Sequence, residues 1–407
     1  MWKRFARLLR CPQCSGELIP TIFAEHRAEI APAHLELGRQ CGMIDADFSR
    51  YVDAGLLSCS ACEVSYPIFE GLPVLLPYTT TLHDEFRRRY ESELRGMPQS
   101  VRFADREPVP GERFVLRSFS TEWLAYDFDG VIWEMGYADH ERRFLSELGD
   151  LRPSRRCSRF LELGCGIGIT TDLAQRNFGV DAVGVDLSLA ALRAATRHRE
   201  NPFLHFVQGS VFYLPFAEQS FDTIYTRGVL HHTYSTGKAF ASLAKQCKAN
   251  GSMYVWVYGP RSIEDNLLRR TLFAGERVVR RVLQGRDSGL LAKLLLSPLA
   301  CTYLIFNWSR RIKDSTIQPY NFRRAMHAAR DRFTPEFAHR HDEAEVRAWF
   351  VDAGFEAVEV VDWRVMPSAD HDDYRRNTGV RGRKAPNDRV VCERASTVSA
   401  GAVGAGG

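Results

Sequence analysis

An α/β protein built on a doubly wound parallel sheet is the fold class this sequence predicts, and three observations predict it. From Arg159 onward, short apolar runs alternate with helical stretches, the pattern of parallel strands covered by helices on both faces. The first run, Phe160 to Leu163, opens into Gly164, Gly166 and Gly168, and the next ends in Asp186, as in a nucleotide-type crevice at strand ends. Ahead of this series stand two C-x-x-C pairs in a segment too small to fold on apolar burial alone.

The 407 residues allow two or three domains, and 45% hydrophobic with 26% charged residues is the balance of an ordinary soluble globular chain. A net charge of +4 is too small to imply a nucleic-acid partner by itself. Met1 to Arg10 carries Lys3, Arg4, Arg7 and Arg10 but no apolar stretch before Cys11, so it does not read as a secretory signal, and a cytoplasmic protein is expected. Of ten cysteines, four form the two pairs and six are scattered, which favours metal binding in a reducing compartment over disulfides.

Taken in order, residues 1–80 read as short strands and turns around a metal, ending in the Gly71-Leu-Pro-Val-Leu-Leu-Pro77 run. Residues 81–135 read as linker and lead-in, broken by Pro108, Pro110 and Gly111, and a helix is expected near Asp139 to Leu148. The core occupies 136–260, with strands at Phe160–Leu163, Ala182–Asp186, His205–Gln208, Thr223–Thr226 and Met253–Tyr258; Asn250-Gly251 suits a turn. A helical insertion fills 261–335. The core resumes over 336–395 with a helix carrying Val346, Trp349, Phe350 and Ala353, opened by an Asp342-to-Glu345 capping pattern and stopped by Gly354. Strands at Ala357–Val361 and Arg389–Glu393 follow, and 396–407 is a Gly/Ala/Ser tail expected to be disordered.

Cys11-Pro-Gln-Cys14 and Cys59-Ser-Ala-Cys62 can each present two thiolates from one tight turn, and four thiolates complete the shell of a structural zinc ion. Residues Ala24 to Leu56 read as an insertion between the knuckles, with Cys41 buried or free rather than a ligand. The strings Leu9 to Leu18 and Leu57 to Leu76 resemble the Trm112-like zinc-ribbon family, whose domains partner or precede methyltransferases. That resemblance implies a scaffolding role for residues 1–80.

Phe160-Leu-Glu-Leu-Gly-Cys-Gly-Ile-Gly-Ile-Thr170 fails the dinucleotide template G-x-G-x-x-G, because Ile169 stands where its third glycine belongs. E-x-G-x-G-x-G instead resembles motif I of class I S-adenosylmethionine (SAM) methyltransferases, and the strings Phe206–Phe216 and Phe221–Thr233 resemble that family's next two motifs, of the UbiE-like kind. The resemblance implies a seven-stranded, doubly wound (Rossmann-like) sheet with SAM as cofactor. It implies a binding set of Glu162, Gly164, Cys165, Gly166, Gly168, Asp186, Leu187, Ser210, Val211 and Thr226. Asp186 is expected to accept from both ribose hydroxyls, and Glu162 to contact the SAM amino group or fix the turn. Ser210 departs from the pattern: the family commonly has Asp there, bonding the adenine amine. His231 and His232 sit where the family places acceptor-facing residues and are the candidate catalytic bases. Arg227 reads either as a clamp for an anionic acceptor or as an ion-paired side chain.

The positive charge is concentrated between Arg261 and Lys313, where eleven Lys/Arg stand against four Asp/Glu. Val278, Val279, Val282 and Leu283 lie among arginines there, and Leu290 to Trp308 is nearly all apolar except for Lys293 and Asn307, with Pro298 inside. Cap helices over the pocket, or a patch resting on an anionic membrane surface at its inner face, fit this pattern; a transmembrane span does not. The reading that follows is methyl transfer to a small-molecule, glycan or lipid-linked acceptor. Two alternatives stay open: an RNA (tRNA or rRNA) methyltransferase, and a non-catalytic scaffold with a vestigial SAM pocket.

Overall fold

In the computed structural model the described residues are 1–386 apart from 99, 126–130, 133–134, 261–277, 284–289 and 314–318. In chain order the strands are β1 (Ile19–Arg27), β2 (Arg50–Cys59), β3 (Val64–Phe69), β4 (Leu72–Leu75), a small separate hairpin of β5 (Val131–Ile132) and β6 (Met135–Gly136), then β7 (Arg159–Leu163), β8 (Asp181–Asp186), β9 (Leu204–Gly209), β10 (Phe221–Arg227), β11 (Cys247–Val257), β12 (Phe355–Val360) and β13 (Thr378–Lys384). The main sheet runs β1-β2-β3-β4-β9-β8-β7-β10-β11-β13-β12.

From β9 to β11 every pairing is parallel, and β13 then lies antiparallel between β11 and β12. Strand order reverses between β7 and β10, so a crevice opens at their carboxyl ends. Side chains alternate between two apolar layers. Phe160, Ala182, Leu204 and Phe206 join one, with Phe144, Leu173 and Ala194 of the helices on that face. Leu161, Val183, Val207 and Ile224 join the other, with Phe240 and Phe350. Burying each large apolar side chain contributes about 1.5–3 kcal/mol, so both faces must be covered for these strands to be stable.

Among the described residues the sheet holds eleven strands, not seven. The doubly wound part supplies seven, and β1–β4 extend it: β2, β3 and β4 pair antiparallel, and β4 then pairs parallel to β9 through Val74↔Gln208 and Leu75↔Gly209. All four β4 residues are buried, and their backbone closes an edge that β9 would otherwise leave open. The interior of the N-terminal segment, including Phe5, Leu9, Leu57 and Tyr66, is continuous with the core of the sheet.

Among the described residues the strand beside β11 is Thr378–Lys384, which the sequence did not announce; the expected strand Arg389–Glu393 and the tail lie outside the described residues. Two expectations need correction. Asn250-Gly251 is not a turn but lies inside β11, where the register against β10 jumps from Phe221↔Cys247 to Thr223↔Ser252. Cys41 is neither free nor a ligand: it forms a disulfide with Cys157, 116 positions away, tying the end of helix Pro32–Gln40 to the loop before β7.

Helix Glu343–Asp352 starts as its capping pattern predicts, with the Asp342 carboxylate accepting from the Glu345 amide at 2.8 Å, and Gly354 follows it at φ +75°. Helix Tyr137–Leu148 contains the stretch expected to be helical. Within 261–335, helix Leu290–Lys313 runs through Pro298 and packs with helix Phe322–Phe333 around Leu283, Leu296, Ala329 and Phe333. Among the described residues no helix is long and apolar enough to cross a membrane.

Candidate cofactor and acceptor site

The turn after β7 needs its glycines for conformation and for space. Gly164 has φ +75°, and a Cβ there would lie 2.1 Å from Val229; Gly168 has φ +86°, and a Cβ there would lie 2.8 Å from the Phe206 ring. The turn is pinned to the end of β8: the Gly166 amide donates to Asp186 Oδ2 at 2.8 Å, while Asp186 Oδ1 accepts from the Ser188 amide (2.8 Å) and hydroxyl (2.7 Å). Burial pushes the Asp186 carboxyl above its ordinary range, against the pull of these donors.

Gly164, Asp186, Leu187 and Val211 line one cavity of about 1090 Å³ at the carboxyl ends of the parallel strands. The other expected cofactor residues stand behind its wall. The buried Glu162 accepts from the Thr171 hydroxyl, fixing the start of the following helix, and burial pushes its carboxyl up to about 8. Thr226 donates to the Leu163 carbonyl at 3.1 Å. Cys165 is buried beneath the turn, Gly166 and Gly168 shape it, and Ser210 is covered by Glu112, to which its hydroxyl donates.

The histidine pair is split. His232 lines the cavity, and its Nδ1 lies 2.7 Å from the Phe337 carbonyl, which makes Nδ1 the protonated nitrogen and leaves Nε2 as acceptor. Burial lowers its pKa to about 4, so the ring is neutral at neutral pH. His231 is fully buried beside it, stacked on Tyr258 at 3.8 Å, with both ring nitrogens lacking hydrogen bonds.

At the far end Arg227 enters the wall already paired: Nε reaches Glu147 at 2.9 Å, Nη2 binds Asp373, and the guanidinium lies 4.3 Å from the Trp256 ring centroid. The fully buried Glu147 also accepts from the hydroxyls of Tyr225, Tyr254 and Tyr374. The ion-paired reading of Arg227 is therefore the one the structure shows; removing one partner of such a buried pair typically costs 3–5 kcal/mol.

Sequence reasoning missed the helix Glu112–Ala125, which lies in the segment read as linker and lead-in. It supplies Glu112, Phe119, Glu122 and Trp123 to the cavity wall. It is tied across the site by Leu189 N to Ser120 Oγ (3.0 Å), Arg193 to the Trp123 carbonyl (2.8 Å), and His327 to Glu122 (2.7 Å). Pro110-Gly111 followed by Glu112 is a helix-start signal that could have revealed it.

On the far side of β4, Cys11, Cys14, Cys59 and Cys62 bring their sulfurs within 4.8 Å of one another. Cys14 and Cys59 are 3.5 Å apart and Cys11 and Cys62 are 4.0 Å apart, around the ~3.8 Å that tetrahedral Zn–S bonds of about 2.3 Å require. The Gly16 amide donates to Cys14 Sγ, and Ser15 and Glu63 follow their cysteines at positive φ, as thiolate-presenting turns demand. The donor set and spacing fit a closed structural zinc site.

In comparison with known proteins, residues 161–255 match the family model described as "Methyltransferase domain". Phosphoethanolamine N-methyltransferase 2 of Caenorhabditis elegans is 27% identical over 165 residues, covering 37% of this chain and 37% of that protein. Demethylmenaquinone methyltransferase of Renibacterium salmoninarum is 28% identical over 153 residues, covering 36% of this chain and 62% of that protein. Among solved structures, phosphoethanolamine N-methyltransferase 2 of Haemonchus contortus superposes with a TM-score of 0.40 at 15% identity, covering 66% of this chain and 57% of that one. The chain thus spans less than two thirds of each of these relatives. The match and the curated relatives support an enzyme domain of the class I SAM-dependent methyltransferase kind.

Proposed function

We propose that this chain transfers a methyl group from SAM to a small-molecule acceptor held in the cavity beneath helix Glu112–Ala125. The observation that carries this reading is the meeting of the Gly166 amide with Asp186 at the rim of that cavity, inside the segment that matches a methyltransferase domain. Asp186 takes a ribose hydroxyl through the lone pair on Oδ2 that Gly166 leaves unused, Oδ1 being filled by the Ser188 amide and hydroxyl. Gly164 lets the main chain approach the methionyl part; Leu187 and Val211 flank the adenine. Glu162, Cys165, Gly168, Ser210 and Thr226 act one layer back by holding the turn and the strand ends. When bound, SAM supplies a methyl group on a sulfonium.

The chain's own work is alignment and exclusion of water. Phe119, Trp123, Phe212, Tyr234 and Phe337 give the cavity apolar walls that can hold an acceptor atom in line, at about 3–3.5 Å, where ordering supplies much of the rate. His232 is the base for an acceptor that must lose a proton, its tautomer set by Phe337; His231 supports it from behind. The relatives' names join a polar amine to a quinone, and this cavity carries both kinds of wall, with Asp370 and Asp373 beside Met366 and Trp256. Labelled-methyl transfer from SAM into a cell extract, with mass identification of the product, tests the activity; absence of any labelled small molecule refutes it.

In the same reading residues 1–80 form a Trm112-like zinc ribbon whose Zn²⁺ is structural, the described residues of 136–260 and 336–395 form the catalytic core, and those of 261–335 cap it. A specific observation favours lipid contact by the cap. Helix Leu290–Lys313 exposes Leu294, Ile305, Trp308 and Ile312 along one face, next to Arg311. Co-sedimentation with vesicles rich in anionic lipid, compared with neutral vesicles, tests that contact.

A further inference from the structure

Where β9 leaves the sheet, the cavity wall is formed by a side chain from outside the doubly wound core. Glu112 is the first residue of its helix, placed there by Gly111 at φ +73°, where a Cβ would come within 2.4 Å of the Phe337 ring. Glu112 is only 5% exposed yet lines the cavity, as do Gly209, Val211 and Phe212 next to it. Ser210 does not line it. The Ser210 hydroxyl gives its proton to Glu112 Oε1 and accepts from the Phe212 amide at 3.2 Å, so its one remaining lone pair sits on an oxygen held away from the cavity.

The second carboxylate oxygen, Glu112 Oε2, is buried without a close hydrogen bond; the Tyr78 hydroxyl stands beside the carboxyl as a long, weak donor. A carboxylate has about four acceptor sites on its two oxygens, so beside Tyr78 and Ser210 it keeps capacity for a donor from a ligand. The same helix is clamped to the opposite side of the cavity through Leu189 and Arg193, just beyond Asp186. It therefore bridges the acid at the end of β8 and the turn at the end of β9, the span an adenosine would occupy.

We propose that Glu112 recognises the exocyclic amine of the adenine ring through Oε2, taking over from a neighbouring helix the contact that Ser210, held away from the cavity, does not make. This inference rests on the SAM reading of the cavity. The Val211 amide, beside it in the wall, is left to the ring nitrogen.

The test is calorimetric binding of S-adenosylhomocysteine and of its 6-desamino analogue, which keeps the ring nitrogens and loses only the amine. The unmodified protein is expected to prefer the amine-bearing ligand by about tenfold or more, the scale of a hydrogen bond to a charged group. Glu112→Ala brings the two ligands to within about twofold, and adding Ser210→Asp to it restores the preference by returning a carboxylate to the end of β9. Glu112→Gln, which keeps the volume and the bond to Ser210, loses part of the preference and serves if the alanine variant does not fold. Equal affinity for the two ligands in the unmodified protein, or a preference that survives Glu112→Ala, overturns the assignment while leaving SAM binding intact. Failure of the unmodified protein to bind either ligand overturns the SAM reading and this inference with it.

Discussion

Replacing Asp186 is the most direct perturbation of the proposed cofactor site, and its cost can be worked from three hydrogen bonds. The carboxylate accepts from the Gly166 amide, the Ser188 amide and the Ser188 hydroxyl at 2.7–2.8 Å. Asp186→Ala leaves these donors to water or to nothing, a loss of about 2–3 kcal/mol in stability at roughly 1 kcal/mol net per bond. Ligand binding loses a comparable amount, because the one acceptor site left free, on Oδ2, takes a bond from a ribose hydroxyl worth about 1.5–3 kcal/mol, and 1.4 kcal/mol is tenfold. The dissociation constant for S-adenosylhomocysteine should therefore rise by about tenfold or more. Asp186→Asn should fall between the two, since its amide nitrogen must face either Gly166 or Ser188, both donors. Calorimetry at neutral pH, with thermal unfolding in the presence and absence of ligand, separates the two effects. A folded alanine variant with unchanged affinity would refute the reasoning, however far its melting temperature had dropped.

Three other outcomes are expected. His232→Gln should lower the methyl-transfer rate by about a hundredfold with SAM affinity unchanged, while His231→Gln should act mainly on stability; equal effects on rate would count against the split assignment. The purified protein should carry one zinc per chain, and Cys59→Ser should lose it together with about 3 kcal/mol of stability, seen as a drop of several degrees in Tm; a metal-free protein with unchanged Tm refutes the site. Glu162, pushed up to about 8 in the fold, stays protonated where the unfolded chain ionises near the ordinary glutamate value. Its contribution is thus complete below about 4.5 and is lost as pH rises through 8. The stability of Glu162→Gln relative to the unmodified protein should therefore climb by about 1.4 kcal/mol per pH unit across that window, and a flat difference in urea titrations would show the carboxyl to be ionised.

What could be read from sequence follows the physics of burial. β7, β8, β9 and β10 announce themselves because strands covered on both faces must be apolar along their length, and the glycine turn and Asp186 because their spacing is dictated by the backbone. β13 was illegible for the opposite reason. Its Gly379 and Gly382 are small because Tyr374, Tyr254 and Phe350 already fill the space beside them, so the strand lacks the bulky residues that mark its neighbours. The Cys41–Cys157 bond joins positions whose separation carries no motif, and the tetrathiolate pairs drew the reading away from disulfides. Glu112 and Trp123 belong to a wall made by a helix outside the repeating pattern, and only the fold brings it opposite Ser210 and Leu189.

The pairing of β4 with β9 carries a mechanical consequence. Its last bridge, Leu75 to Gly209, stops one residue short of Ser210 and two short of Val211, so the thiolate-bearing segment is the buttress of the wall against which a purine would lie. Cutting the chain after residue 80 and discarding the front piece would bare the flank of β9, loosening the nucleoside end of the crevice before anything at the Arg227 end was disturbed.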